Sequence, residues 1–185
     1  MQVYMASVAA FSDHNIKEYF LKLQTPEKRE RILRLKRNQN AVLLGDILVK
    51  YALRDSFGIP IKEQSIIKNA WGKPMLCGVE NAHFNVSHSG EWVVCVTAKE
   101  PIGVDIEKIR PFNARVAEKI CDEKAKMEIL SAKNRDEAFC RYWTRQEAAA
   151  KYKGTGLSWQ TLRTREPCTL VSQKIGDYIL SIARL

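Results

Sequence analysis

Two carboxylates stand two residues apart in the run Gly-Val-Asp-Ile-Glu at 103–107. Alternate side chains of a β-strand share a face, so Asp105 and Glu107 would lie side by side while Val104 and Ile106 face a core. Mg²⁺ prefers such oxygen ligands, taking few protein carboxylates and completing its shell with water and phosphate oxygens. The pair therefore indicates a candidate magnesium site, although a half-exposed strand with an acidic solvent face has the same pattern.

A carboxylate and an amine recur on one face of a predicted helix. Trp143, Glu147 and Lys151 follow one another at intervals of four residues and so line one helix face. An exposed Glu147–Lys151 pair would stabilise the helix by about 0.2–0.5 kcal/mol and would need no further function. The large indole of Trp143 indicates instead that this face is partly packed.

A histidine stands beside two hydroxyls and a glycine in the run Asn-Val-Ser-His-Ser-Gly at 85–90. Backbone N–H groups, hydroxyls and an imidazolium can bind an anion, although a polar hairpin tip has the same composition. Ser87 and His88 are neighbours on a predicted strand and point to opposite faces, which disfavours a nucleophile–base pair. The chain also has no Gly-x-Ser-x-Gly sequence, so a serine hydrolase is not indicated.

Capping residues and hydrophobic spacing predict the elements that position these residues. Thr25-Pro26-Glu27 predicts a helix start. A second helix is predicted from about Asn38 to Gly58, and a last one from Asn134 to about Lys153, with Asp122 as a further cap. Strands are predicted at 3–9, 83–87, 92–97 and 102–107, with a hairpin turn at 89–91 and a strand pair in the tail up to 182.

Both halves of the chain combine helix with short antiparallel strands. This predicts an α+β fold with two similar-sized lobes, residues 1–100 and 101–185. No apolar run is long enough to span a membrane, and the first residues lack a secretory pattern. Five cysteines without a Cys-x-x-Cys pair favour a reducing cytosol.

The 185 residues include 45% hydrophobic residues and carry a net charge of +9, so the chain is globular rather than disordered. This charge fits nucleic acid, membrane phosphate, a phosphate-rich small molecule or an acidic protein as partner, and alone it does not choose among them.

In their order and combination these segments resemble the Sfp-type 4′-phosphopantetheinyl transferases from end to end. The signature is Gly-Val-Asp-Ile-Glu at 103–107 with Trp-x-x-x-Glu-Ala-x-x-Lys at 143–151. Further similar segments lie at 25–30, 43–46, 72–74, 84–92 and 154–157. The resemblance implies a monomeric pseudo-dimer of two α+β lobes, each a short antiparallel sheet packed with helix.

Such enzymes move the 4′-phosphopantetheine arm of coenzyme A onto a serine of an apo acyl or peptidyl carrier protein and release 3′,5′-ADP. By resemblance, Asp105, Glu107 and Glu147 would hold Mg²⁺, and the metal would bridge the pyrophosphate. Lys151 would contact the pyrophosphate, and Glu147 or Glu123 would be the base toward the carrier serine. The carrier, the base and the choice of Mg²⁺ or Mn²⁺ stay open at this point.

The resemblance also implies how coenzyme A is bound. Its 3′-phosphate would be bound by Lys28, Arg31 and His88. Its adenine side would be lined by Trp71, Gly72, Lys73 and Ser87, with Trp71 stacked on the base or serving as a core anchor. Gln146 and Ala41 stand where the family often has cations, so we expect weaker coenzyme A binding than in members with both. The coenzyme A affinity of a Gln146→Lys variant tests this hypothesis.

Carrier proteins are acidic, so the net charge would raise their encounter rate by steering. The segment 108–126 mixes cations with apolar residues, and we expect it to dock the carrier. Two alternatives remain: a Mg²⁺-dependent phosphohydrolase of coenzyme A or nucleotides, and a nucleic-acid-binding module. The second would use the basic helix at 28–37, which lacks interleaved aromatic residues, so neither nucleic acid nor membrane is an expected partner.

Overall fold

A computed structural model describes residues 1–11, 13–156, 158 and 168–185. The described helices are α1 His14–Lys22, α2 Pro26–Leu33, α3 Gln39–Phe57, α4 Ala114–Ile120, α5 Glu123–Ser131 and α6 Arg135–Lys153. The described strands are β1 Gln2–Ser7, β2 Ile66–Lys68, β3 Pro74–Leu76, β4 His83–Ser89, β5 Trp92–Ala98, β6 Ile102–Lys108, β7 Thr169–Ile175 and β8 Tyr178–Arg184. Short 3₁₀ turns lie at Val8–Phe11 and Ile61–Glu63. The predicted α+β class is confirmed.

The strands form two antiparallel three-stranded sheets and a separate hairpin. The N-terminal sheet has the order β1-β5-β4, the C-terminal sheet has the order β6-β8-β7, and β2 pairs with β3. Ser89 pairs with Trp92, so the predicted turn at 89–91 shortens to Gly90-Glu91, and Ser89 belongs to β4. Helix α1 and the β2–β3 hairpin were not predicted from the sequence.

The helix ends follow the predicted capping residues. The Thr25 side chain accepts a hydrogen bond from Lys28 N, and the Asn134 side chain accepts one from Glu137 N. Helix α6 ends at Gly154, whose φ of 73° favours glycine because a Cβ is disfavoured there. Residue 157, the last of the similar segment 154–157, lies outside the described residues.

The two sheets pack against each other, with the long helix α3 on the outer face of one and the long helix α6 on the outer face of the other. This is possible because successive side chains of each strand point to opposite faces. On β5, Val93 and Cys95 pack with α3, whereas Val94 and Val96 pack with residues of β6 and β8. Helix α6 contacts β6 and β8. Since Val104 and Ile106 lie in the core between the sheets, the alternating residues Asp105 and Glu107 face α6.

Helix α6 lies very close to the backbone of β6 at Gly103. A Cβ at this position would overlap the backbone atoms Ala148 O and Tyr152 N of α6. Only a glycine therefore lets the helix lie this close to the strand that carries Asp105 and Glu107. No described helix is both long and apolar enough to cross a membrane.

Candidate functional site

Asp105 is a buried carboxylate held by two side chains from other elements. It is 1% exposed, and its Oδ1 accepts hydrogen bonds from Lys151 Nζ at 2.6 Å and Ser87 Oγ at 2.7 Å. An acidic solvent face, the simpler interpretation of the 103–107 pattern, therefore does not describe Asp105. Strand β6, strand β4 and helix α6 meet at this one atom.

Glu147 and Lys151 lie on the face of α6 that packs on β6. Glu147 Oε2 is 3.7 Å from Lys151 Nζ, and the two side chains are only 14% and 21% exposed. One turn of helix therefore brings both groups to Asp105 at a packed boundary rather than in open solvent. Trp143, on the same predicted face, is half-buried against the core formed by α4, α5 and α6.

Strands β4 and β6 run side by side, and side chains rather than backbone carbonyls join them. Three alternating β4 side chains accept hydrogen bonds from three alternating β6 N–H groups, an arrangement that we call the cross-sheet ladder. Its pairs are Val104 N to Asn85 Oδ1 at 2.9 Å, Ile106 N to Ser87 Oγ at 3.4 Å and Lys108 N to Ser89 Oγ at 3.1 Å. The ladder satisfies backbone donors that would otherwise be buried without partners.

Two of these ladder side chains also reach the acidic pair. Ser87 Oγ donates to Asp105, and Ser89 Oγ donates to Glu107 Oε2 at 2.7 Å. The sequence-based reasoning gave the Ser89 hydroxyl only a possible part in anion binding beside His88, and it assigned no site role to Asn85. The signal was the alternation of polar residues in Asn-x-Ser-x-Ser, which on a strand turns three polar side chains to one side.

Burial and like charges shift the pKa values at this site. Burial, followed by the negative charge of Asp105, raises the pKa of Glu147 to about 7, although Lys151 opposes the shift. Burial likewise raises the pKa of Glu107, and the hydrogen bond from Ser89 opposes this. Burial and then the charge of Lys151 lower the pKa of His88, which disfavours the positively charged form of its imidazole relative to an exposed histidine.

The donor set fits a hard divalent cation in its chemistry. Asp105 Oδ2 is buried and has no hydrogen-bond partner, and a cation would relieve the mutual repulsion that raises the pKa of Glu147. Carboxylate oxygens are the ligands that Mg²⁺ prefers. Among the described residues, no three Asp, Glu, His or Cys side chains already form a metal-binding group, and the Lys151 ammonium supplies the positive charge at Asp105.

Three of the four residues expected on the adenine side of coenzyme A line a cavity next to this cluster, whereas the fourth, Ser87, donates to Asp105 instead. Trp71, Gly72 and Lys73 surround a volume of about 230 Å³ together with Lys151. Trp71 is 65% exposed, so it is not a core anchor. Its ring packs beside Gly156, which leaves its other surface available to a planar ligand.

Asn69 fastens this turn to the end of α6. Its Oδ1 accepts hydrogen bonds from the backbone N–H groups of Trp71 and Lys73, both at 2.9 Å, and its Nδ2 donates to Gly154 O at 2.8 Å. Lys73 Nζ donates to Tyr152 O at 3.0 Å, and burial lowers the pKa of Lys73 to about 8. The Lys73 ammonium is thus bound to the helix end, and Asn69 is a further positioning residue that the sequence-based reasoning missed.

The structure brings other predicted residues into different contacts. Lys28 Nζ pairs with Asp46 Oδ2 at 2.8 Å, and Arg31 is exposed on the same helix. Glu123 begins α5, where its side chain is 86% exposed and pairs with Lys126 at 2.9 Å. Of the two candidate bases, Glu123 is therefore exposed and bonded to Lys126, whereas Glu147 is mostly buried beside Lys151.

The two departures from the family pattern also have defined positions. Gln146 lines a groove between α5 and α6 together with the cations of Lys124, Arg141 and Arg145. Ala41 is 5% exposed in the core around α3. The neutral Gln146 thus lies among three cations, whereas a charged side chain at position 41 would be placed in a buried site.

Known proteins match both halves of the chain. Residues 12–100 match the sequence model of the 4′-phosphopantetheinyl transferase N-terminal region, and residues 101–182 match that of the 4′-phosphopantetheinyl transferase superfamily. The 4′-phosphopantetheinyl transferase Sfp of Bacillus subtilis (strain 168) is 35% identical over 76% of this chain and 65% of its own length. The 4′-phosphopantetheinyl transferase psf-1 of Bacillus pumilus is 32% identical over 63% of this chain and 51% of its own length.

A mammalian protein is also similar. The L-aminoadipate-semialdehyde dehydrogenase-phosphopantetheinyl transferase of Rattus norvegicus is 27% identical over 82% of this chain and 55% of its own length. The chain thus spans less than two thirds of the length of these three relatives. The two sequence models, end to end, take in nearly all of its residues, and the chain belongs to the 4′-phosphopantetheinyl transferase superfamily.

Proposed function

We propose that this chain transfers the 4′-phosphopantetheine arm of coenzyme A to a serine of an apo acyl or peptidyl carrier protein and releases 3′,5′-ADP. The observation that carries the proposal is the cluster of Asp105, Glu147 and Lys151 beside the cavity of Trp71. The names of the relatives support the reaction type. We further propose a cytoplasmic monomer with lobes at 1–100 and 101–185, and its five unpaired cysteines suit a reducing compartment.

The serine oxygen would attack the phosphorus that carries the pantetheine arm. A new P–O bond forms there, the bond from that phosphorus to the bridging oxygen of the pyrophosphate breaks, and the bridging oxygen leaves with its electron pair as part of 3′,5′-ADP. Such a reaction needs positioning and charge neutralisation more than covalent help from the protein. Lys151 would offset the charge on the leaving phosphate. Glu147 lies beside Lys151 at the Asp105 cluster and would accept the serine proton directly or through water, and the exposed Glu123 is the less supported base.

Asp105, Glu107 and Glu147 would hold Mg²⁺, with the unpartnered Asp105 Oδ2 as one available ligand atom. The ion, when bound, supplies positive charge to the pyrophosphate oxygens. On the nucleotide side, the turn that holds Trp71 would bind adenine together with Gly72, Lys73 and Ser87. Lys28, Arg31 and His88 would bind the 3′-phosphate, and Lys28 would then exchange Asp46 for the phosphate.

Release of 3′,5′-ADP, measured with and without an apo carrier protein, tests the proposed reaction. The transferase predicts release only when the carrier has a free serine, and a carrier with that serine replaced by alanine is the matched control. Release of 3′,5′-ADP and free 4′-phosphopantetheine without any carrier would instead show a phosphohydrolase. A chain that leaves coenzyme A intact but binds nucleic acid with a steep log–log salt dependence would be the binding module.

The segment 108–126 is the proposed docking surface for the acidic carrier. It holds six Lys or Arg and three Asp or Glu residues, and Met127 and Leu130 extend it with apolar side chains that are 71% and 50% exposed. Positive charge steers an acidic partner, and exposed apolar side chains give it a surface to bury.

Reversing one exposed charge in this surface is expected to weaken carrier recognition selectively. For Arg115→Glu we expect the KM for the carrier to rise about three- to tenfold at low salt and less at high salt, because screening removes the steering. The KM for coenzyme A should not change. The control is Lys99→Glu, which makes the same charge change at an exposed residue just before the first residue of β6, outside the segment 108–126. Equal effects of both variants, or an effect of Arg115→Glu that does not depend on salt, would contradict this surface.

A further inference from the structure

The Ser89 hydroxyl is fixed from two sides. It is part of a buried residue, 7% exposed, and its oxygen accepts the hydrogen bond from Lys108 N while its proton is donated to Glu107 Oε2. Lys108 directly follows Glu107 on β6. The backbone N–H of Lys108 therefore fixes the position of the Ser89 hydroxyl, and this hydroxyl in turn orients the Glu107 carboxylate.

The three positions of the cross-sheet ladder differ in what they hold. Asn85 bonds to the Val104 backbone and has no hydrogen bond to a carboxylate among the described residues. Ser87 bonds to Asp105 and also accepts a hydrogen bond from Lys151 at 3.0 Å. Ser89 is thus the position whose carboxylate bond can be removed without touching Lys151, and Asn85 is a matched position that joins the sheets in the same way.

Partners that hydrogen-bond a ligating carboxylate fix its orientation and commonly change metal affinity by about 10- to 100-fold when removed. Glu107 lies on β6 of one sheet, and the bond that orients it comes from β4 of the other. The orientation of the Glu107 carboxylate therefore depends on how the two sheets are positioned relative to each other.

We propose that Ser89 is a positioning residue that holds the Glu107 carboxylate in the orientation required to bind a divalent cation, and that it does so from the opposite sheet. This inference rests on the proposed function, because it concerns the metal site of the same reaction. Ser89 does not act on coenzyme A or the carrier. Its removal changes metal affinity and the metal dependence of the rate.

Mn²⁺ binding, followed by electron paramagnetic resonance without coenzyme A, tests the proposal directly. For Ser89→Ala we expect Mn²⁺ affinity about tenfold below that of the original chain, and a higher Mg²⁺ concentration for half-maximal rate. The KM for coenzyme A at saturating Mg²⁺ should change less than twofold. Ser89→Thr retains the hydroxyl and should restore most of the affinity. Asn85→Ala removes a ladder bond but no bond to a carboxylate, so it should lower thermal stability while Mn²⁺ affinity stays within about twofold.

Mn²⁺ affinity of Ser89→Ala equal to that of the original chain would overturn the inference. So would an equal loss in Asn85→Ala, since the effect would then come from joining the sheets and not from orienting Glu107. These failures are distinct from failure of the proposed function. A chain that transfers phosphopantetheine but binds Mn²⁺ equally well with and without Ser89 disproves only the positioning role. A chain whose Mn²⁺ affinity depends on Ser89 but that modifies no carrier disproves only the transferase.

Discussion

Replacing Asp105 by alanine is expected to lower the rate of phosphopantetheine transfer by about a hundred- to a thousandfold. Losses of this size follow when one preorganised electrostatic group is removed from an active site. Two functions are lost together. The Lys151 ammonium loses Asp105 Oδ1, which lies 2.6 Å from its Nζ atom and fixes its position. The site also loses Asp105 Oδ2, the buried oxygen that is available to a cation. Initial rates of holo-carrier formation measure the effect.

The fold should survive this substitution, because Lys151 keeps Glu147 as a partner at 3.7 Å. Removing the Asp105 charge also relieves one cause of the raised pKa of Glu147. The matched control is Asp55→Ala on the exposed side of α3, for which we expect less than a twofold change in rate. A folded Asp105→Ala variant with near-normal transfer would show that this cluster is not the active site.

Gly103→Ala is expected to lower both the stability and the transfer rate. The new methyl group would overlap the backbone of α6 at Ala148 and Tyr152, and backbone cannot move aside as a side chain can. Forcing a methyl into such a contact typically costs about 1–3 kcal/mol of the free energy of unfolding. Because α6 carries Glu147 and Lys151, its displacement also moves both groups away from Asp105.

Gly45→Ala is the matched control for this prediction. A Cβ at Gly45 would meet Val86 Cγ2 at 3.6 Å and Val93 Cγ1 at 3.8 Å, which is ordinary van der Waals contact. Alanine also favours a helix interior over glycine by about 0.5–1 kcal/mol, so this variant should be as stable as the original chain or more stable. Denaturant unfolding of the two variants tests the contrast, and a Gly103→Ala chain as stable as Gly45→Ala would refute the close approach of α6.

Local signals in the sequence predicted the elements well, because a cap or a strand alternation depends on residues within one turn or one strand. Thr25 and Asn134 cap the helices that they were expected to cap, and Val104 and Ile106 face a core as their alternation indicated. The alternation could not reveal that a helix, rather than water, covers the opposite face. The burial of Asp105 is a property of α6 packing on β6, which no single segment specifies.

Contacts between elements were the part that sequence reasoning missed. The hydrogen bond from Ser89 to Glu107 exists because β4 lies along the open edge of β6, and neither strand contains the information that the two are neighbours. Asn69 acts through the end of α6, more than eighty residues away along the chain. Lys28 was expected to face a phosphate, and its pairing with Asp46 joins α2 to α3.

The most direct test of the central claim is the intact mass of an apo acyl or peptidyl carrier protein after incubation with this chain, coenzyme A and Mg²⁺. The account predicts that the carrier gains the mass of one phosphopantetheine arm, and that the Asp105→Ala chain leaves it unchanged under the same conditions. A set of apo carriers left unmodified by the original chain, together with no measurable binding of coenzyme A, would contradict it.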